Sequence, residues 1–198
     1  MPERREPLLD RARGIRALVL DVDGVLTDAG LYYSARGETI KRFSARDGFA
    51  VKLAQSEGIR VAVLSGRVAP PLRVRLRHLG IPAELVIEGS RNKAKDIERL
   101  AGVLALPLDQ IAFVGDDVPD LPALRLVGLA ACPADASEEV RRRCHFVSEA
   151  RGGNGAVREV VELLLRARGR WDAVIAAWER GEPTFVTHGD HDGDGRSS

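Results

Sequence analysis

Cysteine is nearly absent: the chain has two, Cys132 and Cys144, in unrelated contexts and without the spacing of a metal knuckle. That excludes a disulfide-stapled scaffold and suits a reducing, cytoplasmic setting. Long apolar runs are also missing. Stretches such as VVELLL are far too short to span a bilayer, and the opening MPERREPLLDRARGIR is too charged for a signal peptide. There is no excess charge of either sign. Thirty basic residues against 29 acidic ones leave +1, so no global field points to nucleic acid or an anionic membrane, and a small molecule is the expected partner. With 44% hydrophobic residues, 198 residues suffice for one well-buried core, and a single domain is expected over residues 1–180.

What is present is an alternation of apolar runs and helical periodicity. ALVLD is a first buried strand, and LYYSARGETIKRF reads as a hairpin turning around Ala35, Arg36 and Gly37. Asp47 is placed to cap a helix through Phe49, Val51, Leu53 and Ala54 that stops at Gly58, before the strand RVAVLSG. Pro70 and Pro71 open a second helix ended by Gly80, followed by the strand ELVIEG. A third helix is expected from about Asn92 to Leu104, then the strand IAFVGDD, a short helix around Leu121 to Leu126, and LAAC as a short last core strand. Helices return at Ser137 to Cys144 and at Ala156 to Arg168. This pattern predicts an α/β fold, a doubly wound parallel sheet with a β-hairpin insertion. The stretch from Gly181 is poor in apolar residues and expected to be disordered. Within it Asp190, Asp192, Asp194 and Gly195 match the opening of a calcium-binding loop, but no closing glutamate or flanking helices follow, and a solvated acidic tail is the expectation.

The chemistry concentrates where apolar runs stop, because ligands of open α/β sheets bind beyond the carboxyl ends of the strands. Asp21 and Asp23 follow the first strand, and with Asp28 they put three acids within eight positions. A bound cation, a shared proton or a reacting electrophile would hold such a group together. Ser65, Gly66 and Arg67 follow another strand, and Asp116 with Asp117 follow a third. Carboxylates from two strands suit a hard dication such as Mg²⁺, while a serine hydroxyl, loop amides and a lysine suit phosphate. Lys93 opposes the helix dipole from a first turn and therefore requires a compensating anion.

These motifs resemble those of the haloacid dehalogenase superfamily: DVDGVLTD the first, LSGR the second, Lys93 the third and VGDDVPD the fourth. The resemblance implies that Asp21 is a nucleophile forming an aspartyl-phosphate and that Asp23 is the general acid and then base. It further implies that Asp21, the Asp23 carbonyl and Asp116 hold Mg²⁺, with Asp117 behind them, and that Ser65 and Lys93 bind the phosphoryl group. The gaps between Asp28 and Ser65 and between Lys93 and Gly115 leave no room for a cap domain.

Finer motifs (FSARDGFAVKLA, VGDDVPDLPAL, RGGNGAVREV) closely resemble the 3-deoxy-D-manno-octulosonate 8-phosphate phosphatase family of lipopolysaccharide biosynthesis. That resemblance implies a phosphorylated sugar-acid substrate and a homotetramer built through the hairpins, whose Leu31, Tyr32, Ile40 and Phe43 would be exposed. Arg46, Asp47 and Gly48, together with Gly24, Gly66, Arg67 and Arg151, are its implied substrate-binding residues. Gly66-Arg67 favours the octulosonate ester over nonulosonate 9-phosphates, and Arg151 opens a flexible loop that folds over the site. Ala50, where the family commonly has glycine, and the extra segment WDAVIAAWERG depart from the pattern. A phosphorelay receiver domain uses similar ingredients, but its phosphoacceptor would lie where RVAVLSGR ends in serine.

Overall fold

The computed structural model describes residues 5–35, 37–182 and 185. Arg36, at the tip of the expected hairpin turn, and the acidic stretch containing Asp190, Asp192 and Asp194 lie outside the described residues.

Six short strands form one parallel sheet: β1 (Ala17–Leu20), β4 (Arg60–Leu64), β5 (Val86–Ile87), β6 (Ile111–Val114), β7 (Leu129–Cys132) and β8 (Phe146–Val147), in the order β5-β4-β1-β6-β7-β8. β2 (Tyr32–Ser34) and β3 (Gly37–Ile40) make the separate antiparallel hairpin. Every residue of β1, β6 and β7 is buried, which requires cover on both sheet faces. Two groups of helices supply it. α1 (Arg5–Gly14), α2 (Ala45–Ser56) and α7 (Ala156–Ala167) pack together, and α4 (Lys93–Leu104) packs with α5 (Leu121–Leu124). α3 (Pro70–His78), α6 (Glu138–Arg141) and α8 (Trp171–Glu179) complete the set. The segments that could have housed a cap hold only the hairpin, α2 and β4 in one case and α4, a short turn and β6 in the other.

The cap of α2 is Ser44, whose hydroxyl accepts from the Asp47 amide; Asp47 is instead buried and accepts from the Gly155 and Arg158 amides, both at 3.0 Å, so it anchors the N-terminus of α7. α1, with Leu8, Leu9 and Ala12 on the core, and the two-residue β8 beyond β7 are additions. Cys132 is buried and Cys144 half-buried, both as free thiols. Phe43 is half-buried, packed on the core beneath Arg75, whereas Leu31, Tyr32 and Ile40 are exposed as expected. The glycine loop does not hang free. The Gly153 amide donates to Val25 O at 2.9 Å, and a Cβ on Gly152 would lie 1.8 Å from the Gly24 carbonyl oxygen.

The segment WDAVIAAWERG forms α8. Its Trp171 is buried beneath Arg158 and Arg166, and its Trp178 forms a cluster with Phe49 and Phe185 at centroid separations of 5.2 and 5.6 Å. Among the described residues, no helix is long and apolar enough to cross a membrane.

Candidate active site

The sheet register brings the chemistry to one end. Leu20 stands beside Val63 of β4 and Val114 of β6, so the residues leaving these three strands emerge together where the strand order reverses next to β1. They open on a cavity of about 760 Å³, lined among others by Asp21, Asp23, Gly66, Arg67, Lys93, Asp116, Asp117 and Asp120.

Lys93 stands at its floor. Asn92 caps α4 by accepting from the Lys95 amide, and the apolar stripe Ile97, Leu100, Ala101 and Leu104 buries the helix, which fixes its first residue. The Lys93 ammonium ion-pairs Asp21 at 3.0 Å and also bonds Asp120. These anions are what the first-turn lysine lacked locally. Burial alone would lower its pKa; Asp21 and Asp120 more than reverse that and raise it.

Asp120 was not among the residues singled out from the sequence. It is wholly buried, and its second oxygen accepts from the Asp116 and Asp117 amides at 2.9 and 3.2 Å, shaping the loop after β6. Its signal was the third acid of VGDDVPD, four positions after the first. Asp117 caps the following turn through the Val118 amide at 2.8 Å.

Asp21, Asp116 and Asp120 can each bring one carboxylate oxygen within 4.8 Å of the others. Burial, then Asp120, lifts Asp21 to about 7; burial, then Asp21, Asp120 and Asp117, lifts Asp116 to about 8. Three crowded carboxylates with one lysine between two of them form an all-oxygen donor set that a hard divalent cation would neutralise. Gly24 keeps the space clear: its φ is +80°, and a Cβ there would lie 2.0 Å from an Asp116 oxygen.

Burial, together with the mutual repulsion, has a measurable consequence in metal-free protein. Both acids bind protons more tightly in the folded chain than at the ordinary 3.8, so their contribution to stability falls as pH rises from about 4 through 8. Thermal unfolding in EDTA should therefore show Tm declining across that window, with millimolar Mg²⁺ raising Tm more at pH 8 than at pH 5. Equal increments at both pH values would mean that the cation binds elsewhere.

Not every expected residue reaches the cavity. The Ser65 hydroxyl donates to Arg67 O and accepts from its amide, at 3.0 and 3.1 Å, and is buried within its own loop. Asp23 does line the cavity, ion-paired to Lys41 and 3.7 Å from Arg67 Nε. Arg46 and Arg151 are exposed outside the cavity, the latter paired with Asp135 at 3.1 Å. Asp47 and Gly48 belong to the first turn of α2, away from the opening.

Fold and site together define a haloacid dehalogenase-like hydrolase, and that family matches residues 83–160. The 3-deoxy-D-manno-octulosonate 8-phosphate phosphatase of Haemophilus influenzae is 42% identical over 163 residues, 81% of this chain and 88% of the relative; that of Escherichia coli K12 is 40% identical over 165 residues, 83% and 87%. This chain belongs to the 3-deoxy-D-manno-octulosonate 8-phosphate phosphatase family, a family of phosphoric monoester hydrolases. The solved structure from Moraxella catarrhalis, in complex with magnesium, phosphate and KDO, matches with a TM-score of 0.82 at 34% identity, covering 86% of this chain and 97% of that one. The cobalt-bound enzyme of H. influenzae matches with a TM-score of 0.80 at 39% identity, covering 82% and 94%. Both hold a divalent ion, in agreement with the acidic cluster found here.

Proposed function

We propose that this chain, as one domain over residues 1–180, is a Mg²⁺-dependent phosphatase that hydrolyses 3-deoxy-D-manno-octulosonate 8-phosphate to the free sugar acid and phosphate. The observation that carries this reading is the convergence of Asp21, Asp23, Lys93 and Asp116 on one cavity of a chain about 40% identical to enzymes of that name. An Asp21 oxygen attacks phosphorus, and the bond to the sugar oxygen breaks as Asp23 delivers a proton to that oxygen. In the second step Asp23 takes a proton from water, which attacks the aspartyl-phosphate and frees Asp21. Asp21, the Asp23 backbone carbonyl and Asp116 would hold the metal, with Asp117 behind them, and the bound ion would offset charge gathered on the phosphoryl oxygens. Lys93 supplies the remaining positive charge at the floor, and the Ser65 loop supplies donors. Gly66 and Arg67 line the mouth, where a guanidinium suits the sugar-acid carboxylate.

The exposed apolar residues Leu31, Tyr32, Tyr33 and Ile40 at the hairpin support a homotetramer assembled through this element, and the two free thiols fit a reducing cytoplasm. The deciding experiment is phosphate release against octulosonate 8-phosphate, nonulosonate 9-phosphates and common sugar phosphates, with Mg²⁺ and with EDTA. A metal-dependent preference for the octulosonate ester of at least about 100-fold in kcat/KM is expected. Uniformly weak turnover of the whole panel would overturn the substrate assignment.

A further inference from the structure

Lys41, the residue immediately after β3, has a side chain only 1% exposed, and its ammonium is ion-paired with Oδ1 of Asp23. Burying an ammonium carries a large desolvation penalty, and well-packed apolar residues commonly replace such pairs without loss of stability. Stability alone is therefore a weak reason for a lysine here. The other oxygen of Asp23 faces Arg67 Nε at 3.7 Å, and the Arg67 guanidinium donates to the Tyr33 hydroxyl at 3.0 Å. Tyr33 lies on β2 and Lys41 directly follows β3, so each side of the hairpin reaches one oxygen of the same carboxylate, directly or through Arg67.

We propose that Lys41 is a positioning residue for Asp23, the principal arm of a hairpin-borne clamp that aims this carboxylate at the leaving oxygen of the ester. The inference rests on the reading of Asp23 as the acid that protonates the leaving group. It also assigns the hairpin a second duty. The element that displays the apolar surface seats the acid, so displacing the hairpin disarms the site without touching Asp21 or Lys93. Arg42, the next residue, extends the same attachment by reaching Asp28 at 3.2 Å and Asn154 at 3.0 Å.

Leaving-group chemistry tests the clamp. An alkyl phosphate such as the sugar-acid ester needs its oxygen protonated, whereas p-nitrophenolate departs from p-nitrophenyl phosphate as a stable anion. Lys41→Met is expected to lower kcat/KM for the alkyl ester about 100-fold and for the aryl ester no more than about fivefold, with Lys41→Arg recovering most of the difference. In an Asp23→Asn background, adding Lys41→Met should cost the alkyl ester less than about threefold more, because both changes remove one function. Tyr33 is 64% exposed, so Tyr33→Phe tests the second arm without endangering the fold, and a selective loss of a few-fold on the alkyl ester is expected. Equal losses on both esters, or additive losses in the double variant, would reduce Lys41 to a structural residue and overturn the clamp alone. Wild-type protein that hydrolyses neither ester would overturn the phosphatase reading and the clamp with it.

Discussion

Asp21→Asn is expected to lower kcat by at least about 10⁴-fold while the protein stays folded. The amide keeps the shape of the carboxylate at the end of β1 but has no anionic oxygen to attack phosphorus. Stability should hold or rise, because Asp21 is a buried acid whose ionisation is resisted by burial and by Asp120, and the neutral side chain removes that repulsion. Lys93 retains Asp120 as its partner. Calorimetry beside a single-turnover assay checks both halves. Residual turnover above about 1% of wild type would remove Asp21 from the nucleophile's role.

Lys93→Met should harm both fold and reaction. The lysine side chain is 6% exposed, and its removal leaves Asp21 and Asp120 facing each other and Asp116 without a countercharge. Deleting one partner of a buried pair costs about 3–5 kcal/mol, which for a chain of this size lowers Tm by about 6–20 °C. The raised pKa of Lys93 keeps it protonated throughout the neutral range, so the deficit should be full at pH 8 and smaller near pH 5, where the orphaned carboxylates take up protons. Thermal melts of the metal-free variant at the two pH values measure this. A Tm within about 2 °C of wild type at pH 8 would show that the triad is not held by its lysine.

The parallel sheet was legible because its strands are buried on both faces and so appear as unbroken apolar runs ending in polar residues. Those endings also located Asp21, Asp23, Asp116 and, through its unfavourable place in a helix dipole, Lys93. What escaped reading depends on distant partners. Asp120 lies inside a loop where an acid ordinarily signals a turn, and its role is visible only once its oxygens are seen between Lys93 and two amides. Lys41 carries no local signal at all, since a lysine after a short hairpin strand looks like a solvated one. Asp47 was the expected cap of α2, but Ser44 caps it, because Asp47 is taken by the amides of α7, more than a hundred residues away. Strand β8 has two residues, too few for a periodicity.

Both tryptophans of the chain lie on α8. Tryptophan fluorescence, excited apart from the tyrosines of β2, therefore reports the seating of α8 against Phe49 and Arg158. An emission change during denaturation marks detachment of this helix, which coincides with global unfolding only if circular dichroism follows the same curve. Neither tryptophan lines the carboxylate cavity, so optical titrations of substrate binding need a probe placed there.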